Sequence, residues 1–130
     1  MTAKRYARTE RRKGFRKSLA FGTDIVQINT ISLKRKWDDE VGVNIGPNGF
    51  CCCSTKQLPT STNVICLILF RPPNDRQVVE ADAKLVWQKS RKVEGEQLWY
   101  HGFEFTKVNS PHRKLIDQAL KESEEALAAT

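Results

Sequence analysis

A chain of 130 residues, 39% apolar and 28% charged, has the size and composition of a single globular domain, and its longest apolar run, residues 64–70, is too short to cross a bilayer. The net charge of +7 is confined to one end. Residues 1–17 hold eight basic side chains (Lys4, Arg5, Arg8, Arg11, Arg12, Lys13, Arg16, Lys17) against Glu10 alone. Subtracting these from the 22 basic and 15 acidic residues of the whole chain leaves 14 of each, a neutral body without the basic track of an extended nucleic-acid binder.

The first element in chain order is this arm. Residues 1–17 show no apolar periodicity and are expected to be a flexible arginine-rich arm. The arm leads into no apolar h-region, so a secretory signal is not expected and the default location is cytoplasmic. Arginines concentrated ahead of a neutral body suit a compact anion, because guanidinium groups bind phosphates and guanine edges bidentately.

From Ser18 onward the texture turns strand-like, through Leu19, Phe21, Ile25, Val26, Ile28, Ile31 and Leu33. Short strands are expected at residues 41–45, 50–54, 63–70, 78–88 and 97–105. Turn or loop signals separate them at residues 46–49 (Gly-Pro-Asn-Gly), 58–61, 72–75 and in the charged stretch 90–96 around Gly95. Several short strands at this spacing predict an all-β barrel or sandwich. The period then changes. Ser110 is placed to cap a helix with Pro111 at its first position. Leu115, Ile116, Ala119, Leu120 and Leu127 form one stripe, opposite Lys114, Asp117, Lys121, Glu122 and Glu125. Such a helix must lay its stripe on an open end or a face of the β body. The body is thus expected to occupy residues 18–130, with the helix from about 111.

Little in the chain suggests catalysis. His101 falls within a strand and is expected to be structural, and His112, in the first helical turn, to be solvated. Asp38, Asp39 and Glu40 read as a solvated acidic turn beside Trp37. Cys51, Cys52 and Cys53 are consecutive, and Cys66 stands apart. On a strand they alternate faces, which is poor zinc spacing, so inert buried thiols are expected, with no metal. Trp87 and Trp99 are expected to pack in the core or on the barrel surface.

Two segments carry recognition chemistry. Residues 11–16 contain R-x-x-x-R as Arg12 and Arg16, preceded by Arg11. Residues 44–50 read as a strand ending in a glycine-rich turn. There Asn44 can offer an amide to a base edge, while Gly46 and Gly49 permit close approach and left-handed backbone.

With these two motifs in this order, the chain resembles the PilZ domain family, bacterial receptors for cyclic di-GMP. That family is marked by an N-terminal R-x-x-x-R and, some thirty residues on, by [D/N]-x-S-x-x-G at a strand-to-strand turn. Arg12 and Arg16 match the first, with Arg11 as the extra arginine. Asn44 and Gly49 match the ends of the second, and Gly102-Phe103-Glu104-Phe105 before the helix matches a G-x-x-F strand. The resemblance covers about residues 8–122. It implies a six-stranded antiparallel β-barrel with a C-terminal helix, and an arm that orders over the ligand. Arg11, Arg12 and Arg16 would contact phosphate and guanine, Asn44 a guanine edge, and Gly46 and Gly49 would let the turn pass close. It further implies a protein partner in motility or exopolysaccharide control, and neither DNA nor RNA. The chain departs from the pattern at Gly46, where the family has Ser. A lost hydroxyl contact to a charged ligand costs about 1.5–3 kcal/mol, roughly ten- to over a hundredfold in affinity. Two other readings compete. One is a barrel of this fold without nucleotide binding, serving as a protein-interaction module. The other is a small single-strand nucleic-acid binder using Trp37, Trp87, Trp99 and Tyr100 for stacking.

Overall fold

In the computed structural model, residues 21–35, 37–38, 40–70 and 78–128 are described, with side chains through Ser123. The elements are β1 (Phe21–Ile28), β2 (Ile31–Ser32), β3 (Val41–Ile45), β4 (Gly49–Ser54), β5 (Asn63–Phe70), β6 (Val78–Val93), β7 (Glu96–Lys107) and α1 (Ser110–Ala128). All strand pairs are antiparallel and follow the order β2-β1-β3-β4-β7-β6-β5, with β5 returning to pair β1. Six strands therefore close into a barrel, and β2 is the extra one, folded back on the end of β1. Closure satisfies the ladder groups that an open sheet would leave at its edges.

Alternation explains which residues fill the barrel. β5 reads Val64, Cys66, Ile68 and Phe70 inward, and Ile25, Phe50, Val79, Ala81, Ala83, Leu85 and Phe103 complete the same cluster. β4 is buried on both faces, with Phe50, Cys52 and Ser54 toward the lumen and Cys51 and Cys53 in a second cluster on the outer wall with Val43, Leu98 and Tyr100. A strand covered on both sides needs small apolar side chains in succession, which accounts for three cysteines in a row. Burial pushes the Cys52 and Cys66 thiols well up and the Cys53 thiol to about 12, so all three stay protonated and unreactive. Among the described residues no His, Cys, Asp and Glu side chains gather as a metal site, and no helix is long and apolar enough to cross a membrane.

The seam between β1 and β3 is short, with backbone pairing only at Gly22 and Val41. The solvated acidic turn expected at residues 38–40 is instead structural at this seam. Glu40 is buried and its Oε1 accepts the Ile25 N–H at 3.0 Å, supplying the acceptor that β3 no longer reaches. Asp38 Oδ2 accepts both the amide and the hydroxyl of Thr55, at 2.7 and 2.8 Å, and so ties the loop to the end of β4. Asp39 lies outside the described residues.

The charged stretch 90–96 is also not a loop. β6 and β7 pair through Val93 and Glu96, and the turn is only Glu94 and Gly95, both left-handed at φ 53 and 82. That geometry matches the twist of a two-residue hairpin, and exposed charges on a ribbon do not break its ladder.

α1 begins one residue earlier than the sequence suggests. Its cap is Asn109, whose Oδ1 accepts the His112 N–H at 3.1 Å, so Ser110 is already in the helix and Pro111 follows it. Ile116 and Leu120 are buried in the barrel cluster with Leu115 and Ala119 against it, so the helix covers the barrel end where β6 begins. His112 is half-buried and has a backbone neighbour besides solvent. Its Nδ1 lies 3.2 Å from the Glu80 amide and 3.3 Å from the Glu80 carbonyl, on the edge of β6.

Candidate functional site

The turn between β3 and β4 brings together Asn44, Gly46 and Gly49. Arg11, Arg12 and Arg16 lie outside the described residues. A register shift between Gly42 and Asn44 sets Val43 and Asn44 together opposite Cys51, on the outer wall. Asn44 is 0% exposed, and both its Oδ1 and its Nδ2 lack a hydrogen-bond partner. A buried amide with both ends unsatisfied costs about 1–3 kcal/mol per group, so Asn44 is held at this position against stability.

The turn itself is firmly held. Gly46 is buried and donates its N–H to the Gly49 carbonyl at 2.9 Å, and the Asn48 carbonyl accepts the Phe105 N–H at 2.8 Å. Pro47 and Asn48 form the exposed tip. Neither Gly46 nor Gly49 uses left-handed backbone; among the described glycines only Gly95 does. The turn needs no positive φ because Pro47 presets the first central residue of an ordinary turn. Gly49 answers to β7 instead, since a Cβ there would lie 2.0 Å from the Phe103 carbonyl oxygen. Gly49→Ala is therefore expected to lower stability by about 2 kcal/mol through displaced backbone, read as the midpoint of denaturant unfolding without ligand. An unchanged midpoint would show that β7 yields freely.

Gly102, one residue before Phe103, has a parallel reason. A Cβ there would meet the Trp87 indole at 2.0 Å, so the glycine lets Trp87 lie flat on the outer wall over β7. Trp87 is thus a packing residue of that wall, as the sequence suggests. Arg91 stacks near Tyr100 beside it, 5.7 Å from the ring centroid.

At the other end of β4, Ser54 Oγ and His101 Nε2 are 2.9 Å apart, the spacing of a nucleophile and its base. The surroundings assign them a different role. Both residues are buried, and the Ser54 hydroxyl donates to the Lys56 carbonyl at 3.1 Å, which leaves Oγ to accept from Nε2–H. His101 Nδ1 then has no partner to orient it. Burial pulls the imidazole down to about 4 against weaker opposing effects from the Lys56 backbone and Asp38, so it is neutral at pH 7. The pair joins β4 to β7, with Trp37 packed edge-on against the imidazole. Sequence reasoning missed Ser54 and Glu40 because their partners lie on strands distant in the chain.

Comparison with protein-family models, with curated proteins and with solved structures found no match.

Proposed function

We propose that this protein is a cyclic di-GMP receptor that binds the nucleotide at Asn44 and the 46–49 turn, with Arg12 and Arg16, supported by Arg11, closing over it. The observation that carries this reading is the Asn44 amide, buried on the outer wall with donor and acceptor both unpaired. The Watson–Crick edge of guanine offers an O6 acceptor beside an N1–H donor, which together match both ends of one amide. The barrel with its C-terminal helix agrees with the architecture that the PilZ resemblance implies.

Chain connectivity adds support. β1 starts at Phe21 beside β3, with Gly22 paired to Val41, three residues from Asn44. Arg16 is five residues upstream of Phe21, and an extended chain covers at most about 3.6 Å per residue, so its Cα stays within about 18 Å of this seam. Because Asn44 is out of contact with water, nucleotide reaches it only by replacing what covers it. Ordering of residues 1–17 on binding would then serve as both ligand clamp and the signal passed to a protein partner.

Calorimetric titration with cyclic di-GMP tests the reading directly. Arg12→Ala and Arg16→Ala are each expected to weaken binding by about a hundredfold, since each removes charge-assisted contacts. Lys4→Ala, which removes the same charge from the arm, is expected to change affinity less than about threefold by steering alone. Amide exchange in residues 5–17 should slow at saturating nucleotide. Absence of both heat and a shift in melting temperature in the wild type would overturn the receptor reading in favour of a barrel that acts only as a protein-interaction module.

A further inference from the structure

We propose that Arg113, at the start of α1, is a positioning residue for the 46–49 turn, so that the helix and the candidate binding turn move as one unit. Arg113 Nη1 donates to the Pro47 carbonyl at 2.6 Å while its Cζ lies 5.5 Å from the centroid of the Phe105 ring. Phe105 in turn donates its backbone N–H to the Asn48 carbonyl at 2.8 Å. Both exposed residues of the turn are thus held by their carbonyls, one from the Arg113 guanidinium and one from the Phe105 backbone, and the side chains of these two residues stack on each other. Proline lacks an N–H, so its carbonyl is the backbone group through which a hydrogen bond can hold Pro47.

Arg113 is itself fixed from three directions. Its amide donates to the Asn109 carbonyl at 2.8 Å within the helix cap, the neighbouring His112 meets the Glu80 backbone, and Ile116 sits fully buried in the barrel cluster. The geometry suits arginine in particular, because a planar cation can lie over a ring and donate in its own plane at the same time, whereas an ammonium cannot. Asn44 faces the outer wall and Arg113 reaches the turn from the barrel mouth beside Phe105, whose ring packs 5.7 Å from Phe50. The turn is therefore gripped on the side away from the unpaired amide. By linkage, whatever fixes this turn also tightens the docking of α1, which gives the exposed face of the helix a way to report occupancy.

Amide exchange on the full chain tests this without any ligand. Arg113→Ala is expected to speed exchange at Gly46 and Phe105 by about tenfold while leaving β5 amides unchanged, the loss of one charged hydrogen bond acting locally. Arg113→Lys should restore less than half of that protection. Unchanged exchange at Gly46 and Phe105 would overturn the inference, as would equal acceleration across β5, which would mark a general stability effect. Full rescue by lysine would overturn the assignment to the guanidinium. A second measurement rests on the cyclic di-GMP reading: Arg113→Ala should weaken nucleotide binding about tenfold with its unfolding midpoint little changed. Unaltered affinity beside faster exchange would overturn the link to binding. A wild type that binds no nucleotide would defeat the receptor reading, and the exchange result would still decide Arg113.

Discussion

Asn44→Leu is expected to raise the stability of the ligand-free protein by about 2 kcal/mol and to abolish cyclic di-GMP binding, two effects of opposite sign from one substitution. The stabilising half follows from the observed environment. Asn44 is wholly buried beside Val43 and Cys51, and neither end of its amide is hydrogen-bonded. Leucine has the same branching at Cγ and brings no polar atom to desolvate, so replacement removes a penalty without opening a cavity. The binding half follows from the proposed contact, because methyl groups would face a base edge whose own donor and acceptor are then unpaired. Denaturant unfolding and calorimetry on the same preparation read both effects. A destabilised Leu variant would mean that the amide is satisfied in solution. A stabilised variant that still binds nucleotide would remove Asn44 from the site. Residues held against stability are a common mark of function, and here the trade-off can be measured at one position.

Acid should destabilise the barrel through His101. The imidazole is neutral in the folded protein down to about pH 4, whereas in the unfolded chain it takes up a proton near pH 6.5. Between these values the unfolded state binds more protons, so stability is full above pH 6.5 and is lost as the pH falls toward 4, by about 3 kcal/mol in all. Burial drives the shift, and protonation would place a charge between Ser54, Trp37 and Phe103 with nothing to accept from Nδ1. His101→Gln can still bond to Ser54 but does not titrate. Its unfolding free energy should stay flat between pH 6.5 and 4.5 while the wild type declines. Parallel decline in both proteins would assign the acid sensitivity to other groups.

Legibility differed by element, and the reasons are physical. β5 was legible because its alternation of Val64, Cys66, Ile68 and Phe70 is a local pattern, and α1 because Ile116 and Leu120 repeat at helical spacing. The sequence predicts a shorter hairpin of β6 and β7, because the charges of Arg91, Lys92, Glu94 and Glu96 around Gly95 are also the mark of a loop. On a two-stranded ribbon those side chains simply face water, and the turn shrinks to Glu94 and Gly95. The helix cap expected at Ser110 lies at Asn109, because both are good caps and only the observed bond to the His112 amide separates them.

In the candidate site, Asn44 could be singled out from its amide and its place before a glycine-rich turn, but its isolation could not. That isolation depends on the register shift that turns it onto the outer wall. The roles of Gly49, Gly102, Glu40 and Arg113 were equally hidden, for each is defined by an atom far along the chain: the Phe103 carbonyl, the Trp87 indole, the Ile25 amide and the Pro47 carbonyl. Local patterning of charge and apolar residues was enough for a basic arm, a neutral β body and a terminal helix, because those properties belong to neighbouring residues. Barrel closure, an unpaired amide on its wall and a helix that holds the 46–49 turn come from pairings between distant segments, which no local pattern encodes.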